Sequence, residues 1–435
     1  LRVKLRSSFV ALALSLLATG CPENTYPAGE KDAYPLTELG VFYATVKPQS
    51  EHDKAEALRA QLADVALPAD KRQQASAALT DQAKKEKDEL DSIENCRPIV
   101  RAILAGLFGS PEHPARPATA VTEFKVAPFF APSAAKVEEP SSPLDEGRRL
   151  YKQHCMHCHG FYGFGDGPTA NFLLPKPRDF RFGKVKFTST KGGMRAVHDD
   201  LVRTIAQGIQ GTMMPAFGPT DGVPRIGIFA GAAGPPGFDV EAVASYVEVL
   251  LMRGSIEQQL VAMWASDDGF TADTAQSAVN SVLRDWQDAT AGVITPEVPR
   301  PDNFEESAKN GAVLFGYEAV TEEAKKNAKA GCLSCHGIHG LGVDSPPSDI
   351  GAADQAGADK TLLQPNDYKL PSMPLNLTFG VYRGGRRPLD LYRHIAGGIK
   401  GTPMPGQAGN LSPVELWNVV DFVCKLGMPK TEKPE

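Results

Sequence analysis

A chain of 435 residues is long enough for two or three domains, and its formal net charge of −6 lacks the basic excess that a nucleic-acid binder needs. Glycine and proline number 41 and 35, so much of the chain reads as loop, which apolar packing alone would hold poorly. The seven cysteines are Cys21, Cys96, Cys155, Cys158, Cys332, Cys335 and Cys424, and four of them form two Cys-x-x-Cys pairs.

Arg2, Lys4 and Arg6 precede an apolar run from Phe9 to Ala18 and the small residues before Cys21. This is the pattern of an export signal, and the run is too short for the roughly 20 apolar residues that span a bilayer. Leu17 to Cys21 also resembles the cleavage region of a bacterial lipoprotein signal, with Ala18 where leucine is more usual. The resemblance implies removal of residues 1–20 and lipid on Cys21, with several acyl chains giving a firm anchor. The expected location is the periplasmic side of a bacterial membrane.

Residues 22–50 carry no periodicity. Residues 51–95 are rich in Ala, Lys, Glu and Gln, a composition that favours helix, and Pro68 splits them into two helices. The second is expected to end at Cys96. Residues 109–143 are rich in proline and read as a semi-extended linker. Residues 21–142 are thus a helical N-terminal extension with a linker that lets the next domain stand away from it.

Cys155-Met156-His157-Cys158-His159 places two thiols two residues apart and a histidine directly after them. That is the attachment signature of a c-type haem: Cys155 and Cys158 bond to the porphyrin vinyl groups, and His159 becomes the proximal iron ligand. Leu144 to His154 reads as a leading helix, with Gly147 placed for close approach of another helix. Asp239 caps a closing helix whose Val240, Val243, Tyr246, Val247, Leu250 and Leu251 recur at helical spacing. Residues 219–237 read as a surface insertion. These features bound a first domain at 143–254. Helices near Ser255–Ala265 and Thr271–Ala289, with a proline-marked end, make a connector at 255–303.

Cys332-Leu333-Ser334-Cys335-His336 repeats the signature in a second domain at 304–430, with Cys332 and Cys335 as attachment thiols and His336 as proximal ligand. Gly311 lies in its leading helix, residues 317–330 intervene before the motif, and Ser412-Pro413-Val414-Glu415 is a capping box that opens the closing helix. A large buried macrocycle in each domain would supply the core that the loops cannot.

The two domains are an internal duplication. Asp200 to Pro215 aligns without gaps on Asp390 to Pro405, and most positions are identical. The shared unit ends in a methionine before proline, Met214 and Met404. A soft thioether suits a haem iron that already has one imidazole, so these two are the expected sixth ligands. Met213 competes in the first copy, but Pro403 occupies its equivalent in the second. Weaker echoes pair Pro177-Arg178-Asp179-Phe180 with Pro365-Asn366-Asp367-Tyr368, and Lys191-Gly192-Gly193 and Arg195 with Arg383-Gly384-Gly385 and Arg387. Arg178, Arg386 and Arg387 are candidate partners for haem propionates, and Phe172, Phe180, Phe187, Phe217, Tyr368 and Phe379 are candidates to line the haem crevices.

The motifs together resemble the cytochrome c family, in a tandem diheme arrangement. The resemblance implies a mainly α fold of two small helical domains, with leading and closing helices crossing near Gly147 and Tyr246 and near Gly311 and Trp417 to Phe422. It also implies two covalently attached haem c groups with His/Met iron. Iron with both axial positions filled has no site for a substrate, which leaves one-electron exchange. The expectation is a carrier without catalytic residues, passing electrons between redox partner proteins, with a membrane respiratory complex among them. The alternatives are the cytochrome subunit of a periplasmic dehydrogenase or a diheme peroxidase, and a methionine in each domain disfavours the latter. Cys96 and Cys424 are candidates for a disulfide, and His154, His157, His198, His339 and His394 are expected at the surface or behind the ligands.

Overall fold

The structure, a computed structural model, describes residues 57–64, 67–117, 143–218, 237–267, 270–342 and 374–428. Among these residues the regular elements are helices and no strand forms beyond isolated bridges. No described helix is long and apolar enough to cross a membrane. The signal and lipidation site at residues 1–21, most of the 219–237 insertion and Tyr368 lie outside the described residues.

Helix α1, Ala69–Phe108, is 40 residues long and runs straight through Cys96 and Pro98. The expected end at Cys96 is therefore corrected. Its last third buries Cys96, Val100, Ile103, Leu104 and Phe108 in the core of the first domain. Burying side chains of this size is worth about 1.5–3 kcal/mol each. Together they outweigh the roughly 3 kcal/mol that an internal proline costs.

Helix α2, Pro143–His154, leads into α3, Met156–His159, and later come α4, His198–Gln207, and α5, Val240–Asp267. A Cβ on Gly147 would stand 2.0 Å from the Ala242 carbonyl oxygen, so only glycine lets the backbones of α2 and α5 touch. Beside this crossing Tyr151 and Tyr246, both fully buried, meet edge-on with centroids 5.3 Å apart. The Tyr151 hydroxyl donates to the Gly160 carbonyl at 2.8 Å and so pins α2 to the end of α3. The helix α5 does not stop at Gly254. A Cβ there would lie 2.4 Å from the Arg181 carbonyl oxygen, so this glycine marks a close backbone approach within one 28-residue helix. The helix expected near 255–265 is the second half of α5.

Helix α6, Ala272–Gln287, starts at a Thr271 cap and buries Ala275, Ala278, Val279, Val282, Leu283 and Trp286 in the same core. The chain after α1 is also docked: Arg148 pairs with Glu112 at 3.1 Å and Arg116 with Glu248 at 2.9 Å. The extension is part of the first domain's core, and the expected stand-off does not begin at residue 109.

The second domain repeats the crossing with less support. Helix α7, Phe304–Phe315, meets α11, Pro413–Leu426, where a Cβ on Gly311 would stand 1.9 Å from the Asn418 carbonyl oxygen. Phe315 and Phe422 pack at 5.2 Å beside it. Between these come α8, Glu322–Asn327, α9, Leu333–His336, and α10, Pro388–Gly397. The 317–330 segment folds back as α8, and Ala330 N–H donates to the Leu314 carbonyl at 3.0 Å, returning the chain to the end of α7. Ser412 caps α11 as expected, with its own N–H donating to Glu415 Oε2 at 2.7 Å. Cys96 belongs to the first core, Cys424 packs against the second, and both are free, which corrects the disulfide expectation.

The connector after α6 stitches the domains together. Ile294 N–H donates to Ser189 O at 2.8 Å and Lys191 N–H to Gly292 O at 2.9 Å, while Arg393 Nε donates to Ile294 O at 3.1 Å and Trp417 Nε1 to Val298 O at 3.0 Å. Lys400, on the methionine loop of the second domain, donates to Thr190 Oγ1 and the Met194 carbonyl of the first.

Candidate haem sites

Each Cys-x-x-Cys-His motif forms one turn of helix with its first cysteine as N-cap, and the two turns share the same hydrogen bonds. His159 N–H donates to Cys155 O and His336 N–H to Cys332 O, both at 2.9 Å; Cys158 N–H donates to Cys155 O and Cys335 N–H to Cys332 O, both at 3.2 Å. One turn brings the two thiols and the imidazole to a single side, which is the need of an attachment motif. All four cysteines are free and half-buried. Burial pushes the thiols of Cys155 and Cys332 up to about 12.

The imidazoles are oriented by backbone. His159 Nδ1 lies 3.2 Å from the Arg178 carbonyl, and His336 Nδ1 lies 3.1 Å from the Leu375 carbonyl. A carbonyl can only accept, so Nδ1 carries the proton and Nε2 keeps its lone pair for a metal. Burial lowers the pKa of His159 to about 4 and lowers that of His336 as well, so both rings stay neutral. Phe180 stacks on His159 with centroids 5.0 Å apart.

These carbonyls correct one expected equivalence. Asp179 caps the turn Phe180–Phe182 before Gly183, and Asn376 caps the turn Leu377–Phe379 before Gly380, each accepting from the N–H two residues on. The counterpart of Pro177 to Phe180 is therefore Pro374 to Leu377. The expected counterpart, Pro365 to Tyr368, lies outside the described residues.

The methionine loops also match. Ile209 N–H donates to Met214 O at 3.1 Å and Ile399 N–H to Met404 O at 3.2 Å. Met214 N–H donates to Thr212 Oγ1 at 3.1 Å and Met404 N–H to Thr402 Oγ1 at 3.3 Å. Thr212 and Thr402 each donate to the carbonyl three residues back, at 2.7 Å in both loops. Met214 thus holds the place of Met404, while Met213 is 46% exposed. Met404 and Cys332 pack against the same core cluster.

Residues 142–225 match the family of cytochrome c oxidase, cbb3-type, subunit III, and residues 321–427 match the cytochrome c family. The chain carries two cytochrome c family domains in tandem. No curated protein matches. Among solved structures, a chain of the reducing HAO-like protein complex of Kuenenia stuttgartiensis is 25% identical, over 67% of this chain and 100% of that one, with a TM-score of 0.42. Domains of this family bind haem c covalently and transfer electrons, and two domains accord with two haems.

The residues present in each cytochrome domain fit that group: free thiols on one helical turn, a neutral imidazole with its Nε2 lone pair preserved, and a thioether on a threonine-braced loop. Of the candidate propionate partners, Arg387 is engaged by Asp390 in a two-bond ion pair at 3.0 Å. Arg178 lends its carbonyl to His159 and is half-buried, as is Arg386. Of the described candidate crevice aromatics, Phe180 alone stacks on a motif histidine. Phe217 stacks on Phe238, Phe172 and Phe379 are exposed, and Phe187 lies at the domain seam.

Two of the remaining histidines have defined partners, and one of them, His394, is not at the surface. His394 is buried at the seam, where its ring meets Phe187 edge-on at 5.8 Å. His198 bridges Glu241 at 2.9 Å and Glu248 at 3.1 Å and is held above its ordinary pKa, first by Glu248. Lys186 was missed at the sequence level, and Arg383 was paired there with Lys191 rather than with it. Lys186 and Arg383 stand three residues after Gly183 and Gly380, so the glycine at the end of each capped turn was the signal that would have aligned them.

Proposed function

We propose that the chain relays single electrons between redox partner proteins from the periplasmic side of a bacterial membrane, tethered by lipid on Cys21, as a subunit of a respiratory electron-transfer complex. The reading is carried by the twin sites. Two domains that differ elsewhere keep the same hydrogen bonds around the attachment turn, the proximal imidazole and the methionine loop.

In this proposal Cys155 and Cys158 would hold one haem and Cys332 and Cys335 the other, with His159 and Met214, and His336 and Met404, as the residues that would ligate iron. The group supplies reversible one-electron chemistry at iron. The chain's own residues set the conditions. The Arg178 and Leu375 carbonyls fix each imidazole and raise its basicity, and the thioethers favour the reduced iron and so raise the potential. Threonine-braced loops hold those thioethers in place, so little rearrangement accompanies a change of charge. Iron held by both a histidine and a methionine would have no free site for a substrate, which favours a carrier over an enzyme.

Absorption spectroscopy of the purified protein tests this. Covalent haem bands and low-spin iron in both redox states are expected. Absence of covalent haem would end the proposal, and a high-spin ferric component in fresh protein would redirect it to a peroxidase. Co-purification from detergent-solubilised membranes tests the tether and the complex; recovery in the soluble fraction without lipid would remove both.

A further inference from the structure

The seam between the domains gathers cations that the electron-carrier reading has not used. Lys186 and Arg383 are counterparts in the duplication, each three residues after the glycine that ends the capped turn. Their neighbours in sequence touch one ring. Phe187 packs edge-on against His394, and Gly384 lies so close to it that a Cβ would stand 2.1 Å from Cε1. Lys186 from the first domain and Arg383 from the second each stand one residue from a contact with this ring, and Lys186 feels the Arg383 charge.

Among the described residues no carboxylate pairs with either of them. Arg383 Nε is buried without a hydrogen-bond partner among the described residues, and so is Nε2 of His394, itself only 6% exposed. Burial, then the charges of Arg178 and Arg383, press the Lys186 ammonium down to about 8, so the pair also repels. The acids nearby are committed: Asp390 to Arg387, and Asp200 to Arg203 and the Ser189 N–H. Like charges half-buried without a counter-ion are costly, and an anion relieves the cost.

The adjacent crevices supply anions. Arg178, whose charge Lys186 feels, gives its carbonyl to His159, so this cluster borders the first haem site. The second domain has Leu375 at the position of Arg178, and therefore no cation of its own there. We propose that Lys186 and Arg383 form one anion site across the domain seam, which takes propionate carboxylates of both haems and links their potentials. His394 Nε2, kept neutral by burial, adds a polar contact to the same site.

The inference rests on the two-haem reading, and covalent haem bands in the starting protein establish that reading separately. The experiment is potentiometric titration of both haems in the holoprotein, with resonance Raman of the propionate bending bands, for Lys186→Met and Arg383→Met. Met214→His, which moves the first haem alone, assigns the two midpoints. Each single substitution is expected to lower both midpoints, by about threefold in each redox equilibrium, or about 28 mV at 59 mV per decade. The propionate bands of both haems shift, and Lys186→Arg restores both readouts. A Lys186→Met protein in which only the first haem moves, or neither does, overturns the shared site. Lys186→Gln carries the same test should the methionine variant fail to accumulate.

Discussion

The two domains share a haem cradle but not a foundation. In the first, α2 and α5 cross over Gly147 and are then buttressed by α1, α6 and the second half of α5, so that Cys96 to Phe108 and Ala275 to Trp286 thicken one core. In the second, α7 and α11 cross over Gly311, and among the described residues the core is completed by Ile294, Tyr382 and α10 instead of further long helices. The attachment turn, the carbonyl on Nδ1 and the threonine-braced methionine are the same in both. The difference teaches that the local hydrogen bonds, rather than the bulk of the surrounding core, define the site.

That contrast can be broken at several points. The largest effect is expected at the methionines proposed as iron ligands: Met214→His and Met404→His should each lower one midpoint, by a sizeable fraction of the roughly 0.8 V that haem ligands command, while Met213→Leu leaves both unchanged. Potentiometry would expose a wrong assignment through a response at Met213. Next, Phe108→Ala should destabilise the first domain alone by about 3–5 kcal/mol, seen as one of two thermal transitions moving. Movement of both would mean that the cores do not melt separately. Gly311→Ala and Gly147→Ala each push a methyl into a facing carbonyl, costing about 1–3 kcal/mol. Haem retention on heating should suffer more for Gly311, whose domain has no counterpart of α1 and α6 among the described residues. Removing the cap by Ser412→Ala should cost about 1 kcal/mol in the second domain only.

The smallest effect concerns pH. His198 joins α4 to Glu248 and Glu241 on α5, with Arg116 also on Glu248, whereas the second domain has Pro388 at the equivalent position. Its folded pKa is raised, so its contribution is fully present below the unfolded value near 6.5 and is lost as pH rises through the folded value. The first transition should fall by about 1–2 °C across that window, and His198→Gln should abolish the fall. An unchanged pH profile in the variant would assign the effect elsewhere.

Most of the site was legible because its chemistry is local. Two residues between thiols, a histidine next, and a methionine before proline are fixed by a helical turn and a tight loop, and the crossing glycines follow from helices in contact. What misled was context. Gly254 and Pro98 look like helix ends, yet Gly254 answers a backbone pressed against it and Pro98 is outweighed by the apolar side chains around it. The counterpart of Asp179 was placed too early because the second domain carries a longer chain between His336 and Asn376. His394 looked like a surface residue because nothing in a sequence shows that two domains will close over one ring.

The long helix α1 has a further consequence. Its buried end is fixed to the first domain from Cys96 onward, and Ala75 is buried far up the same rod. A helix advances 1.5 Å and turns about 100° with each residue. One residue inserted between Ala75 and Cys96 would barely lengthen the rod but would swing everything at its far end around the axis by more than a quarter turn. Sequence change there is thus constrained by phase: three or four residues together approximately preserve the heading of the far end, and one or two do not.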